Sequence, residues 1–230
     1  MVYTRKPTRW IGPADRRELW DAERFARVSL KKPLDWLLTF HPAYLHHPPK
    51  IPLVDLFKDA RRRTATRLDR RKIGFYGTWS REDYIGENRE HLHIALYLPD
   101  AEAAADLEAG WRSWYPGENC DEHKVVCITN PGRIFDARTG QWMSRAVAYS
   151  AKQMSPAAAY HPDPKRQYHR ESENKWGEPV AAVLGQKCGV TRTLDVTARS
   201  LWRPTRAAFR QGALQGKTVA KPGSDRKVAA

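Results

Sequence analysis

The 230 residues carry 40 Lys and Arg against 26 Asp and Glu, a net charge of +14 at neutral pH, with 41% hydrophobic side chains and a mean hydropathy of −0.71. That length allows one generous domain, or one domain with a tail, and a real core. No apolar run approaches the roughly 18 residues of a spanning helix, and the opening residues lack the apolar segment of a signal peptide. Cys120, Cys127 and Cys188 fit neither a C-x-x-C zinc ribbon nor an even disulfide framework, so the expectation is a soluble, cytoplasmic protein with no membrane partner.

In chain order, the pattern predicts a helix over about Ala14 to Leu30, then a short apolar strand Leu34–Phe40 between Pro33 and Pro42. From Pro52, the spacing of Leu53, Leu56, Phe57, Ala60, Thr64 and Leu68 predicts a helix of about four turns. Lys72–Trp79 and His91–Leu98 read as an antiparallel pair of strands. Asp100 is a good N-cap for a helix from Ala101 to about Trp114, and His123–Thr129 reads as the next strand. After an Asn130-Pro-Gly turn, a helix is expected from Gln141 to Met154. The order β-α-β-β-α-β up to Thr129 is the split-βαβ, ferredoxin-like arrangement of an α+β fold, with a central antiparallel sheet, helices mainly on one face and the other face open.

Residues 1–33 are expected to be an N-terminal helical extension and 34–200 the main domain, with a long loop near 155–179. Val180–Leu184 reads as a small strand or helical turn. Residues 201–230 form a basic tail expected to be largely disordered. Two basic clusters stand out. Residues 199–230 hold eight basic side chains against Asp225, and Arg61–Lys72 holds seven, including Arg61, Arg62, Arg63 and Arg67, against Asp69. On a chain of this charge they point to phosphate backbone, and nucleic acid ranks ahead of a membrane surface.

His91 and His93 are two apart on a strand, so both imidazoles share one face while Leu92, Ile94, Leu96 and Leu98 face the other. Two converging imidazoles suit a divalent metal, completed by a carboxylate or a third imidazole. On the helix expected from Gln141, Arg145, Tyr149 and Lys152 sit at i, i+4 and i+7 on one face. A tyrosine between two cations has its phenolate stabilised, and the phenolate is the form that attacks phosphorus.

The strand with Leu37-Leu-Thr39-Phe, the strand His91-Leu-His93-Ile-Ala-Leu and the helix with Tyr149-x-x-Lys152 together resemble the three ordered motifs of the HUH endonucleases. That superfamily comprises rolling-circle replication initiators, relaxases and single-strand transposases. The resemblance implies a metal-dependent single-stranded DNA endonuclease and strand transferase. In it, Mg²⁺ or Mn²⁺ is held by His91, His93 and a carboxylate. Tyr149 is the nucleophile, forming a 5′-phosphotyrosine bond, and Lys152 steadies the developing charge, with help from Arg145. Glu82, Glu87 and Glu90 all precede the histidine pair, and Glu82, nearest the preceding strand, is favoured as third ligand. His41 stands where members often have a second Thr, and Gln153 where some have a second tyrosine. The expected partner is single-stranded or hairpin DNA at an origin-like site. With one tyrosine, a second cleavage needs a water or the other protomer of a homodimer. No helicase P-loop occurs, which favours a replication initiator over the larger helicase-linked types. Trp36, Trp79 and Tyr97 would stack bases if they faced the open side. The rival readings are a relaxase, a transposase, a non-catalytic ferredoxin-like nucleic-acid-binding module, or a structural-zinc protein using His91, His93, Cys120 or Cys127.

Overall fold

The computed structural model describes residues 7–8, 11–82, 90–119, 124–136, 141–151, 183–184 and 186–201. A two-residue strand β1 (Pro7–Thr8) and helix α1 (Pro13–Val28) come first. The central unit follows as β2 (Trp36–Phe40), α2 (Leu53–Arg70), β3 (Gly77–Glu82), β4 (His91–Leu96), α3 (Ala101–Trp114) and β5 (Val126–Thr129). After it come the hairpin β6 (Arg133–Asp136) and β7 (Gln141–Ser144), helix α4 (Arg145–Ser150), β8 (Val183–Leu184) and β9 (Cys188–Val190). The sheet runs β5-β2-β4-β3-β9, and every neighbouring pair is antiparallel. The first four places are the fourth, first, third and second strands of the split unit, so the α+β, ferredoxin-like expectation holds. Among the described residues no helix is long and apolar enough to cross a membrane.

The two crossover helices lie on one face of the sheet. Leu56, Phe57, Ala60 and Leu68 of α2 and Ala103, Ala104, Leu107 and Trp111 of α3 form one core with Leu38, Phe40, Trp79, Leu92, Ile94 and Leu96. Trp111 is fully buried, and its Nε1 donates to Thr64 Oγ1 at 3.0 Å, so the indole brings no unsatisfied donor into that core. The far face is not open as the element order suggests. Leu19, Ala22, Phe25 and Ala26 of α1 and Ala146 and Val147 of α4 pack with Leu37, Ala95 and Cys188 there. β3 and β4 are therefore buried at every position. β8 pairs with β1, so of the strand and the helical turn expected over Val180–Leu184 the strand is found, at Val183–Leu184.

Two elements differ from expectation. Lys72 and Gly74 take positive φ of 59° and 75°, which breaks the extended run expected from Lys72; pairing starts at Gly77 and continues through Glu82. The helix expected from Gln141 begins only at Arg145. Trp142 and Met143 pair instead with Phe135 and Ile134 across a hairpin, and Ser144 acts as N-cap, its Oγ accepting from Val147 N at 3.3 Å. Ser144 Oγ also donates to Leu34 O, tying the start of α4 to the residues that lead into β2. The loop expected at 155–179 and nearly all of the tail at 201–230 lie outside the described residues.

Asp100 caps α3 as its sequence position predicts, with Oδ1 accepting from Ala103 N at 2.8 Å. Asp100→Ala is expected to cost about 1 kcal/mol of stability. Urea unfolding followed by circular dichroism checks this, and an unchanged midpoint would show that the cap contributes nothing.

Candidate functional site

Alternation along β4 sends His91 and His93 to the α1/α4 side of the sheet, and Leu92, Ile94 and Leu96 to the α2/α3 side. Register then supplies their neighbours. β3 sets Glu82 opposite His91 and Ser80 opposite His93, while β2 sets Thr39 opposite His93 from the other side. Residues directly opposite in an antiparallel pair share a face, so Glu82, Thr39 and both histidines converge.

Glu82 Oε2 lies 3.2 Å from His91 Nε2 and 3.2 Å from His93 Nε2. One ligand atom from each residue lies within 4.8 Å of the others, and all three residues are buried. Thr39 Oγ1 is 3.0 Å from His93 Nδ1. With that nitrogen protonated and donating to the hydroxyl, the Nε2 lone pair is directed toward Glu82. Adjacent ligands on an ion with bonds of about 2.1 Å stand roughly 3.0 to 3.5 Å apart in octahedral or tetrahedral geometry. The observed separations and the two-nitrogen, one-oxygen donor set fit that requirement, so the group can hold a divalent metal ion.

Tyr149 of α4 lies beside this group, its ring edge-on to His93 with centroids 5.1 Å apart and planes at 86°. The tyrosine is 47% exposed, which leaves a path to it from solvent. Arg145, one turn earlier on α4, is also exposed, and Lys152 lies outside the described residues. The structure thus brings together Glu82, His91, His93 and Tyr149. Of the other carboxylates considered, Glu90 pairs with Arg81 and Glu87 lies outside the described residues.

One contributor had no role assigned from sequence. His41, the residue after β2, stacks on His91 with ring centroids 4.5 Å apart and planes at 29°. Its position after the Thr39-Phe pair was the only signal available. Cys127 and Cys188 are free thiols on β5 and β9, the two edge strands of the five-stranded sheet, so they do not join the histidines in a zinc site. Cys120 lies outside the described residues.

The arginine cluster is elsewhere. Arg61, Arg62, Arg63 and Arg67 belong to α2, across the sheet from the triad. Arg61 lies 3.7 Å over the Trp79 ring and donates from Nε to Phe57 O at 3.3 Å. Burial, with Arg81 nearby, pushes its pKa down to about 10. Arg62 and Arg63 each reach Asp59 at 2.6 Å, and Arg67 binds Asp106 through two bonds of 3.0 and 2.8 Å. Trp36 and Trp79 also pack on the α2/α3 side, whereas Tyr97 lies on the α1/α4 side with its ring edge against Tyr76.

Compared with protein-family models, with curated proteins and with solved structures, the chain gives no significant match to any.

Calorimetric titration with Mn²⁺ tests the triad directly. Glu82→Gln and His93→Ala are each expected to abolish binding, and Thr39→Val to weaken it roughly 10- to 100-fold, the usual effect of removing a hydrogen bond that orients a ligand. A Thr39→Val affinity equal to wild type would mean that the hydroxyl does not orient His93.

Proposed function

We propose that this chain is a metal-dependent, site-specific single-stranded DNA endonuclease and strand transferase of the HUH type, acting through Tyr149. The observation that carries the reading is the Tyr149 ring set edge-on against His93, 5.1 Å away, beside a buried group of one carboxylate and two imidazoles. A split-βαβ sheet presenting that group from adjacent strands supports it further.

Mg²⁺ or Mn²⁺ on Glu82, His91 and His93 would polarise the scissile phosphate and offset charge that builds on its oxygens. Tyr149 supplies the nucleophile: its Oη, having lost its proton, forms a bond to phosphorus as the bond from phosphorus to the 3′-oxygen breaks. The 3′-oxygen takes up a proton and leaves as a hydroxyl, and the 5′-phosphate stays on the tyrosine. One phosphoester replaces another, so transfer back to a 3′-hydroxyl needs no nucleotide cofactor. Arg145, exposed on the same helix, and Lys152, three residues past Tyr149, are the cations assigned to the phenolate and the developing phosphorane. Thr39 Oγ1 is hydrogen-bonded to His93 Nδ1, and His41 stacks on His91.

The substrate in this reading is single-stranded or hairpin DNA at an origin-like site, and the favoured role is rolling-circle replication initiation. Relaxase and single-strand transposase are the sister roles. A single tyrosine leaves the second cleavage to water or to the other protomer of a homodimer.

The test is covalent capture. Wild type and Tyr149→Phe are incubated with Mn²⁺ and tiled single-stranded oligonucleotides from the protein's own locus, then resolved on denaturing gels and by mass spectrometry. An adduct with wild type that disappears in Tyr149→Phe, with DNA binding kept within a few-fold, is the expected result. Salt-sensitive binding with no adduct on any tile of either strand would replace this reading with a non-catalytic binding module.

A further inference from the structure

Residues 62, 63, 66, 67 and 70 of α2 and its C-cap residue 71 form two adjacent rows at i, i+4, i+8 beside α3. Five of the six are arginines. They line a cleft of about 520 Å³ against α3, with Asp106 and Trp114 on the facing wall. This cleft lies on the layer away from the metal triad.

Gly110 sits inside α3, where glycine costs about 1 kcal/mol relative to alanine. A Cβ at that position would fall 2.8 Å from Arg67 Nε and 2.9 Å from its Cζ. Helix α3 therefore forgoes a side chain where the Arg67 guanidinium lies, and Asp106 then grips that guanidinium at two points. These bonds hold the Asp106 carboxyl below the usual carboxylate range. The guanidiniums of Arg63 and Arg67 each stand 5.9 Å from the ring of half-buried Trp114.

The charge does not cancel. Asp59 takes Arg62 and Arg63, while Asp106 and Glu102 share Arg67 and Arg71, which leaves five guanidiniums against three carboxylates. Arg70 is exposed and pairs with no acid among the described residues. The Arg62 side chain is 75% exposed and that of Glu102 86%, so their ion pairs are weak and give way readily to a phosphate. Guanidiniums in a row match phosphate oxygens in two-point bonds, and a basic groove with an aromatic in it is the recurring means of holding a single strand.

We infer that the α2/α3 cleft is a second nucleic-acid-binding site, taking the backbone of a single strand on its arginines and a base against Trp114. The site requires nucleic acid as a partner and does not depend on the nuclease reading, since no residue of the triad or of α4 takes part. It grips strand away from the reactive group, so affinity and chemistry separate by mutation.

Fluorescence anisotropy with labelled dT20 in EDTA measures this without any cleavage. Arg62→Glu combined with Arg70→Glu, both exposed, is expected to weaken binding at least tenfold at low salt. The slope of log K against log salt should become shallower by about 1.4, the value for two lost contacts to a single strand. Arg70→Ala alone is the milder variant, with a few-fold loss expected and the melting temperature unchanged. An affinity and slope equal to wild type in both variants overturn the proposal. Inorganic polyphosphate displacing dT20 as well as unlabelled dT20 does, at equal phosphate concentration, would also overturn it, making the cleft a general polyanion site. In the adduct assay at saturating oligonucleotide, the paired glutamate variant should still react through Tyr149; loss of the adduct there with normal binding would place these arginines in the reaction instead.

Discussion

The register between β3 and β4 is the constraint on which the site depends. Glu82 stands opposite His91 only because Trp79 and Arg81 on β3 share the opposite face with Leu92, Ile94 and Leu96 on β4. Those three β4 residues are 0% exposed, so the α2/α3 core permits a single register. A slip of one residue would carry the carboxylate to the wrong face and the apolar side chains out of the core at once. The apolar alternation that folds the sheet and the polar alternation that assembles the triad are one pattern, seen from its two sides.

Much of this was legible in the sequence for that reason. Period-2 alternation around His91 and His93 exposes their shared face without any knowledge of partners, and the Asp100 cap marks the start of α3 to the residue. What was not legible depends on long-range pairing. Gln141–Ser144 carries apolar residues that suit a helix or a strand equally, and only the facing Phe135 and Ile134 settle it as a strand. The β9 strand is three residues long and gains its place from pairing with β3, about 110 residues earlier in the chain, in a register such as Ser80 with Cys188. The roof of α1 and α4 over the second face was likewise hidden, because an amphipathic helix announces that it packs but not on what.

The two layers divide the chemistry between them. On one side α1 and α4 enclose the triad and leave Tyr149 half exposed at its edge. On the other, α2 and α3 present more guanidiniums than carboxylates around one cleft. The Arg61–Lys72 cluster falls between two of the motif strands in sequence. The crossover helix carries it to the opposite face, as split-βαβ topology requires of both connections.

A buried carboxylate between two imidazoles can be balanced by protons or by a metal ion. Glu82 is 0% exposed, and a buried carboxylate needs a positive partner. One imidazolium would supply that charge. Here two imidazoles, with ring centroids 4.8 Å apart, direct Nε2 at the same carboxylate oxygen. Protonating both would set like charges side by side in a low-dielectric interior, which is unfavourable, whereas one imidazolium and one neutral ring with its proton on Nε2 can both donate to that oxygen. A divalent cation among the three is the other way to balance the charge: it would accept a lone pair from each nitrogen and from the carboxylate, a donor set that the group supplies. Thr39 suits that second arrangement when its hydroxyl accepts from Nδ1, which leaves the lone pair of the neutral ring on Nε2.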